Sequence, residues 1–278
     1  MRCPICKSDD VKVALKALSK YGGVWDIYEC GLCTVQYIHP IPTAQDLEKH
    51  YEWLYAEKDE VSQLLVNPQW KSKYWRRQYR IIKGLIGHNG GQILDMGCSG
   101  GHFLDNVEVG WEKYGIELSQ NARDVAASKG ISTFANLEQA NLADNSFDVV
   151  TMFAFIEHIP NPKDVCVELH RILKPGGLLV VMTANAKSLK ARMAGKNWDL
   201  YHPPEHLCFF SGRSLDYLMK SIGFKKVKAF HAGAWQTKVS FIGPLNWALH
   251  LGFGLAERLP IYRSLPVFDH LYSYYIKH

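Results

Sequence analysis

The stretch Ile93-Leu94-Asp95-Met96-Gly97-Cys98-Ser99-Gly100-Gly101-His102-Phe103-Leu104 decides the fold of this chain. It begins with the pattern of a strand, continues as a glycine-rich turn and ends as the start of a helix. Glycines lack a Cβ and tolerate positive φ, so such a turn lets the backbone approach a ligand closely and direct amide groups at it. The stretch therefore predicts a nucleotide-type binding site at the end of a strand.

Two familiar phosphate-binding loops fit this turn poorly. The dinucleotide fingerprint requires glycine at its first, third and sixth positions, but counting from Gly97 places Ser99 and His102 at the last two. The ATP-type loop ends in Gly-Lys-Ser or Gly-Lys-Thr, and this turn does not. The sequence therefore argues against a pyrophosphate or triphosphate ligand.

Strand and helix patterns alternate downstream of the turn His88-Asn89-Gly90-Gly91. A helix is expected over Pro162–Leu173, because apolar residues share one face and proline suits its first turn. This alternation predicts the α/β class, with a doubly wound, Rossmann-like sheet covered by helices on both faces. The expected strands are Gln92–Met96, Trp111–Ile116, Ser132–Ala135, Phe147–Phe153, Gly177–Met182 and Lys225–Phe230.

The glycine-rich turn resembles the first motif of class I S-adenosylmethionine-dependent methyltransferases. In that motif an acid on the strand precedes glycines at every second position, which correspond here to Asp95, Gly97, Ser99 and Gly101. The serine departs from the pattern and implies an unstrained backbone angle at that position. The cofactor carries an ammonium and a sulfonium group, so the resemblance implies that Asp95 helps to order its cationic end.

Further segments support the resemblance and extend the implied cofactor site. Glu117 ends the second strand, where its two oxygens can accept both ribose hydroxyls. Asn136 and Leu137 follow the third strand, where the family places its adenine-facing residues. The segments 146–151, 156–159 and 171–177 also match, and we expect structural roles for Asp148 and for Glu157-His158. The full cofactor site implied by the resemblance is Asp95, Gly97, Ser99, Gly101, Phe103, Glu117, Leu118, Asn136, Leu137 and Phe153.

A loop after the fifth strand, residues 197–211, is dense in ionisable and aromatic side chains. Open α/β folds bind ligands at this edge of the sheet, and histidine titrates near neutral pH, so His206 is the candidate general base. The loop resembles the Tyr-x-Glu-His segment of sugar C-methyltransferases and related zinc-headed methyltransferases. The resemblance implies that Tyr201, His202 and Glu205 also lie beside the acceptor, although two intervening prolines leave the role of Tyr201 open.

Two Cys-x-x-Cys pairs, Cys3/Cys6 and Cys30/Cys33, are separated by 23 residues. This spacing can place four thiolates around one zinc ion, as in a zinc ribbon. Four sulfur ligands leave no position for an activated water, so the metal is expected to be structural, and its removal is expected to unfold only this head. The three other cysteines are expected to be ordinary core or loop residues.

Composition and patterning set the expected domain organisation of the 278 residues. An apolar fraction of 47% is enough for a large core with appended modules. The expected parts are a zinc ribbon (1–38), a helical linker or lid region (39–88), a methyltransferase domain (89–235) and an apolar C-terminal extension (236–278). The sequence shows no secretory signal and no membrane-spanning run, so a cytoplasmic location is expected.

The favoured function is methyl transfer from S-adenosylmethionine to a small-molecule or glycan acceptor. An RNA methyltransferase is the first alternative, because a zinc ribbon and the basic, aromatic segment Trp70–Arg80 could contact phosphates and stack on bases. The net charge of +5 is too small to favour nucleic acid. A non-catalytic, cofactor-binding scaffold is the third hypothesis. The extension 236–278 could meet a membrane or form a homodimer, and a seventh strand is expected at Ser273–Lys277.

Overall fold

The computed structural model describes residues 1–19, 22–43, 45–47, 49–50, 69–232 and 269–278. Two sheets organise this part of the chain. The strands are β1 (Val11–Leu18), β2 (Val24–Cys30), β3 (Gln36–Ile38), β4 (Gly91–Met96), β5 (Trp111–Ile116), β6 (Ser132–Phe134), β7 (Phe147–Phe153), β8 (Leu173–Ala184), β9 (Cys208–Phe209), β10 (Phe224–Ala232) and β11 (His270–Lys277).

Helices and single 3-10 turns connect most strands of the larger sheet. The α-helices are α1 (Gln69–Ile86), α2 (Gln120–Ala127), α3 (Leu137–Ala140), α4 (Pro162–Ile172), α5 (Leu189–Ala194) and α6 (Gly212–Ile222). The 3-10 turns are Leu104–Asn106, Ile156–His158 and Gly195–Asn197. Within the ranges that the structure describes, no helix has both the length and the apolar character needed to span a membrane.

The larger sheet has seven strands in the order β10-β11-β8-β7-β4-β5-β6. Strands β4 to β8 run parallel to one another, whereas β11 is antiparallel to both of its neighbours. The order reverses next to β4, so the loops after β4 and β7 meet at the carboxyl edge of the sheet. This is where open α/β sheets bind ligands. The predicted α/β fold class is confirmed.

The predicted strand bounds are accurate for β5 and β7, and β8 is longer than expected. It begins at Leu173, directly after α4, because Leu173 already pairs with Phe147 of β7. The segment Lys174-Pro175-Gly176-Gly177 lies within β8, at the point where its pairing register with β7 shifts.

The C-terminal strand lies within the predicted apolar extension and belongs to the larger sheet. Expected at Ser273–Lys277, this strand spans His270–Lys277 and is inserted between β8 and β10. Its tyrosines Tyr272, Tyr274 and Tyr275 are buried, which explains why the segment looked like an apolar appendage. Predictions for residues 51–68 of the helical region and for residues 236–268 of the extension lie outside the described residues.

The smaller sheet has the order β1-β2-β3-β9, and all of its neighbouring strands are antiparallel. We call residues 1–38, which carry β1 to β3 and the two cysteine pairs, the ribbon. Its fourth strand, β9, comes from the loop that follows β8, with Gln36 opposite Phe209 and Tyr37 opposite Cys208. The ribbon is therefore joined through backbone pairing to the loop in which the acceptor site is expected.

Helix α1 packs one face on the larger sheet. Trp75, Tyr79 and Ile82 are buried in its core, and the hydroxyl of Tyr74 lies 2.6 Å from that of Tyr272 in β11. The rings of Trp75 and Tyr79 are therefore not available for stacking on nucleic-acid bases.

Candidate active site

The glycine loop after β4 curls through three residues with positive φ: Gly97 at 72°, Ser99 at 49° and Gly101 at 74°. Its first turn is held by Ile116 of β5, whose carbonyl accepts hydrogen bonds from the amides of Gly97 (2.8 Å) and Cys98 (3.0 Å). A Cβ at Gly97 would lie 2.7 Å from the ring of Phe155, and one at Gly101 would collide with the Ile131 side chain. Glycine at both positions therefore allows the positive φ and also leaves room for the neighbouring side chains.

Ser99 occupies the left-handed region, so the expectation of an unstrained angle there was wrong. The loop needs positive φ at every second residue, whether or not a glycine supplies it. This conformation is unfavourable for a residue with a Cβ by about 1–2 kcal/mol. The amide of Ser99 is fixed by a 3.0 Å hydrogen bond to Oε2 of Glu117.

Glu117 binds two backbone amides across the carboxyl ends of β4 and β5. Its Oε2 accepts from Ser99, and its Oε1 accepts from Ser119 at 3.0 Å. Each carboxylate oxygen has a second lone pair, which leaves capacity for the two ribose hydroxyls that the sequence assigns to this residue. Glu117 therefore holds the glycine loop in place and also has acceptor capacity for the two ribose hydroxyls.

Asp95, at the end of β4, is buried with only 3% of its surface exposed. The Thr151 hydroxyl donates a 2.6 Å hydrogen bond to its Oδ1. Burial raises the pKa of Asp95 to about 7, opposed by the Thr151 hydrogen bond and assisted by the negative charge of Glu117. A cation bound nearby would favour the ionised form, which suits a carboxylate expected to face an ammonium group.

The residues expected near adenine follow β6. Asn136 is the N-cap of α3, and its Oδ1 accepts a 2.8 Å hydrogen bond from the amide of Gln139. Leu137 is the first residue of that helix and is half-buried, and Leu118 is exposed after β5. The capping role of Asn136 was missed, although asparagine immediately before a helix is a strong signal for it.

The two phenylalanines assigned to the cofactor site belong to an aromatic cluster beneath it. Phe103 and Phe153 pack edge to face with ring centroids 4.9 Å apart, and Trp75 of α1 lies 5.7 and 5.1 Å from them. Phe103 is 2% exposed, whereas Phe153 is only half-buried. The structure thus places Phe103 in the core that supports the loop, and leaves Phe153 accessible at the end of β7.

The acceptor loop, residues 197–211, brings His206 next to two other histidines. Ring centroids of His158 and His202 lie 4.7 and 5.2 Å from that of His206. The Nδ1 atom of His206 lies 2.8 Å from the carbonyl oxygen of Leu200. Burial lowers the pKa of His206 well below its usual range, and His158 and His202 lower it further, so the ring is neutral at neutral pH.

Tyr201 and Glu205 are held by backbone and ribbon contacts. Tyr201 is buried, and its hydroxyl donates a 2.8 Å hydrogen bond to Oε1 of Gln36 in β3. The carbonyl oxygen of Glu205 lies 2.9 Å from Nδ1 of His158. Sequence reasoning missed Gln36, for which the one available signal is a polar residue inside the apolar segment Val35–Ile38.

The 3-10 turn after β7 joins the cofactor loop to the acceptor loop. On one side Phe155, which precedes the turn, lies against Gly97. On the other side, the carbonyl oxygen of Glu157 accepts a 2.8 Å hydrogen bond from the amide of Leu207. The buried carboxylate of Glu157 also accepts a 2.9 Å hydrogen bond from Thr183. These contacts agree with the structural roles expected for the Glu157-His158 pair. Asp148 likewise accepts from the amide of Gln92 at 2.8 Å.

The four ribbon cysteines converge on one point. The Sγ atoms of Cys3 and Cys33 are 3.5 Å apart, and those of Cys6 and Cys30 are 3.4 Å apart. All four sulfurs lie within 4.8 Å of one another. These separations are much longer than a disulfide bond and near the roughly 3.8 Å edge of a tetrahedron with 2.3 Å zinc–sulfur bonds. The donor set fits a structural zinc ion.

Comparisons with known proteins agree with this geometry. A family model described as a methyltransferase domain matches residues 73–229, more than half of the chain. The ubiquinone biosynthesis O-methyltransferase of Photobacterium profundum is 32% identical over 117 residues, which are 38% of this chain and 50% of that protein. The chain spans about half the length of the curated relatives it matches.

Two solved structures share the fold at low sequence identity. A Thermotoga maritima S-adenosylmethionine-dependent methyltransferase, described as a possible histamine N-methyltransferase, has a TM-score of 0.53 and 20% identity, covering 84% of this chain and 97% of its own. Phosphoethanolamine N-methyltransferase 2 of Haemonchus contortus, in complex with S-adenosylmethionine, has a TM-score of 0.55 and 15% identity. The match covers 87% of this chain and 61% of that chain.

The sheet order and the matches to solved structures show the fold that class I S-adenosylmethionine-dependent methyltransferases share. The chain belongs to the methyltransferase-domain family, whose model it matches over residues 73–229.

Proposed function

We propose that this methyltransferase acts on a small-molecule or glycan acceptor bound between the glycine loop and the acceptor loop. The observation that carries the proposal is the turn after β7, which contacts Gly97 through Phe155 and Leu207 through Glu157. This contact supports a site in which the ionisable groups of the acceptor loop lie beside the methyl donor. The name of the Photobacterium relative, an O-methyltransferase of ubiquinone biosynthesis, supports a small-molecule oxygen acceptor.

Methyl transfer is an in-line displacement at a carbon already activated by the sulfonium, so the protein aligns the partners and takes up the acceptor's proton. His206 is the candidate general base. A carbonyl oxygen can only accept, so the contact with Leu200 places the proton of the neutral ring on Nδ1 and leaves the lone pair on Nε2. His202 lies beside this ring, the carbonyl oxygen of Glu205 holds the neighbouring His158, and Tyr201 anchors the loop.

We further propose that the ribbon holds one structural zinc ion through Cys3, Cys6, Cys30 and Cys33. The thiol groups supply all four ligands, and the ion would fix the turns from which β3 leaves to pair with β9. Metal analysis of the purified native protein should find near-stoichiometric zinc or iron. A protein free of both metals would refute this assignment.

The test of the function is a screen of cell-extract fractions and candidate nucleotide sugars with methyl-labelled S-adenosylmethionine. We expect label in a small-molecule or glycan fraction that survives nuclease treatment. Label that nuclease removes would establish the RNA alternative. A protein that binds the cofactor but transfers no label to any fraction would indicate a scaffold.

The His206→Gln variant assigns the base in the same assay. It should bind S-adenosylmethionine as the wild type does and lose transfer by roughly 100-fold or more, as for the removal of a general base. His170→Gln is the matched control, because His170 is a partly buried histidine that packs against Phe224. A fully active His206→Gln variant would remove this residue from the mechanism.

A further inference from the structure

A second group of metal-type ligands lies outside the ribbon, at the carboxyl edge of the larger sheet. Glu157 and His158 come from the 3-10 turn after β7, and His206 comes from the acceptor loop. One ligand atom from each of the three lies within 4.8 Å of the others. Residues nearly fifty positions apart in the sequence are thus brought to one point by the fold.

Both histidine rings are oriented as metal-binding histidines usually are. Nδ1 of His158 contacts the carbonyl oxygen of Glu205 at 2.9 Å, and Nδ1 of His206 contacts that of Leu200 at 2.8 Å. Each carbonyl fixes the proton on Nδ1, so each Nε2 carries a lone pair. A backbone carbonyl that binds the second ring nitrogen is the standard outer partner of a histidine ligand.

The carboxylate is oriented in the same way. Glu157 is 3% exposed, and its Oε2 accepts the hydrogen bond from the buried hydroxyl of Thr183. The amide of Leu207 binds the Glu157 carbonyl and fixes the turn relative to the acceptor loop. All three side chains therefore have outer partners that hold them in place before any ion binds, as a preformed site requires.

We propose that Glu157, His158 and His206 bind one divalent transition-metal ion. Two imidazole nitrogens and one carboxylate oxygen suit a borderline ion such as zinc or cobalt, and three protein ligands leave positions open for an oxygen of the acceptor. The ion binds independently of the thiolate site, which has a different donor set. The identity of the ligand in the open positions rests on the proposed function.

The ion changes how the acceptor is activated. It lowers the pKa of a hydroxyl bound to it, so the acceptor oxygen loses its proton to solvent more readily and attacks the methyl carbon as the sulfonium leaves. Nε2 of His206 is then a ligand, and it serves as the general base only in the metal-free site. Metal content therefore determines which of the two routes the enzyme uses.

The experiment uses the full-length protein with its ribbon site filled with zinc, titrated with cobalt(II) chloride. We expect one further equivalent of cobalt, with weak visible bands of a nitrogen and oxygen site and no increase in the sulfur-to-cobalt charge-transfer absorption. His206→Gln and His158→Gln should each lower the affinity for this second cobalt ion by at least about 10- to 100-fold. Losses of that size follow removal of the groups that hydrogen-bond to metal ligands, so loss of a ligand itself should cost at least as much. His170→Gln should bind cobalt as the wild type does.

Calorimetric binding of S-adenosylmethionine to each variant separates misfolding from failure of the metal site. The labelled-transfer screen on the wild type tests the proposed function separately, because cobalt binding does not depend on its result. A variant that binds the cofactor normally but lacks the cobalt equivalent supports the proposal. Two results would overturn it: a wild type that binds no cobalt beyond the ribbon ion, or a His206→Gln variant that retains the second equivalent at full affinity. In either case Glu157, His158 and His206 are held by hydrogen bonds and do not bind a metal ion.

Discussion

The Tyr201 hydroxyl donates a 2.8 Å hydrogen bond to Oε1 of Gln36, and both residues are buried. Gln36 belongs to the ribbon, whereas Tyr201 lies in the acceptor loop about 160 residues later. On the other side of the amide, Nε2 of Gln36 donates to Glu29 at 2.8 Å, and Glu29 pairs with Lys187 at 2.6 Å. The ribbon is therefore tied through side chains to the loop in which we propose the acceptor site.

We expect that removal of the ribbon metal opens the acceptor loop as well as the head. Without the metal, β3 loses its anchorage and β9 loses its partner. Amide hydrogen exchange at Cys208 and Phe209 should accelerate at least tenfold, which corresponds to about 1.4 kcal/mol of local stability. Exchange mass spectrometry before and after treatment with a zinc chelator measures this.

The internal control is the segment 91–116, which carries the glycine loop on the larger sheet and should keep its protection. Faster exchange confined to residues 1–38 would contradict the coupling. It would show instead that the head is an independent unit, as the cysteine spacing alone leads one to expect.

The Tyr201–Gln36 bond should appear as a coupling energy in a double-mutant cycle. Tyr201→Phe and Gln36→Leu each leave a buried partner without its hydrogen bond, which should lower the free energy of unfolding by about 1–3 kcal/mol. The double variant should lose about 1 kcal/mol less free energy of unfolding than the two single variants lose together. Neither the Tyr201 hydroxyl nor the Gln36 amide then remains buried without its partner. Urea denaturation of the four proteins gives these values.

Tyr217→Phe is the matched control, because Tyr217 is 38% exposed and its hydroxyl removal should change stability by less than about 0.5 kcal/mol. Additive effects of Tyr201→Phe and Gln36→Leu would show that the two groups act independently.

The sequence predicts the main sheet well because its signals are local. The apolar run Phe147–Phe153 and the glycine turn at Gly97 each determine their own backbone, and β7 has the predicted bounds. The pairing of β3 with β9 could not be predicted, because β9 is two residues long and its partner lies far away in the sequence. Short strands carry almost no periodicity, so only the tertiary structure reveals them.

The candidate site was predictable to a similar extent. Asp95 lies at the end of β4 and Glu117 directly follows β5, in a recognisable motif, so their positions near the glycine loop follow from chain order. The positive φ of Ser99 could not be predicted from the sequence, because the surrounding loop imposes this conformation and serine itself does not favour it. The contact of His158 with the acceptor loop also depends on distant backbone, since its partner is the carbonyl oxygen of Glu205.

Close packing at Gly101 should make this residue essential for the cofactor loop. Gly101→Ala introduces a Cβ that collides with Ile131, in addition to the strain of φ at 74°. We expect binding of S-adenosylmethionine to weaken by at least about tenfold, because the buried Ile131 side chain or the loop must shift to relieve the clash and the positive φ adds strain. Calorimetric titration measures the change.

Gly130→Ala separates strain from packing. Gly130 has φ at 77°, yet a Cβ there meets nothing within 4 Å. The Gly130→Ala variant should therefore lose about 1 kcal/mol of stability through backbone strain and bind the cofactor normally. If both variants bind S-adenosylmethionine as the wild type does, close approach in the loop does not control the cofactor site.

Asp95 should make cofactor binding depend on pH near neutrality. Its pKa in the free protein is raised to about 7 by burial and by Glu117, against the Thr151 hydrogen bond. A bound ammonium group favours the carboxylate, so binding releases a proton wherever Asp95 is protonated beforehand. The dissociation constant of S-adenosylmethionine should therefore be up to about tenfold larger at pH 6 than at pH 7.5, and Asp95→Asn should abolish this dependence while weakening binding.

The same carboxyl has the opposite effect on the stability of the cofactor-free protein. A folded-state pKa raised above the unfolded value near 4 means that the folded chain binds the proton more tightly, so this group favours folding increasingly as pH falls from 7 towards 4. Relative to Asp95→Asn, the wild type should gain stability over this interval in urea denaturation. Equal cofactor affinity at pH 6 and 7.5, together with parallel stability curves for the two proteins, would show that Asp95 is already ionised in the free site and does not sense the bound cation.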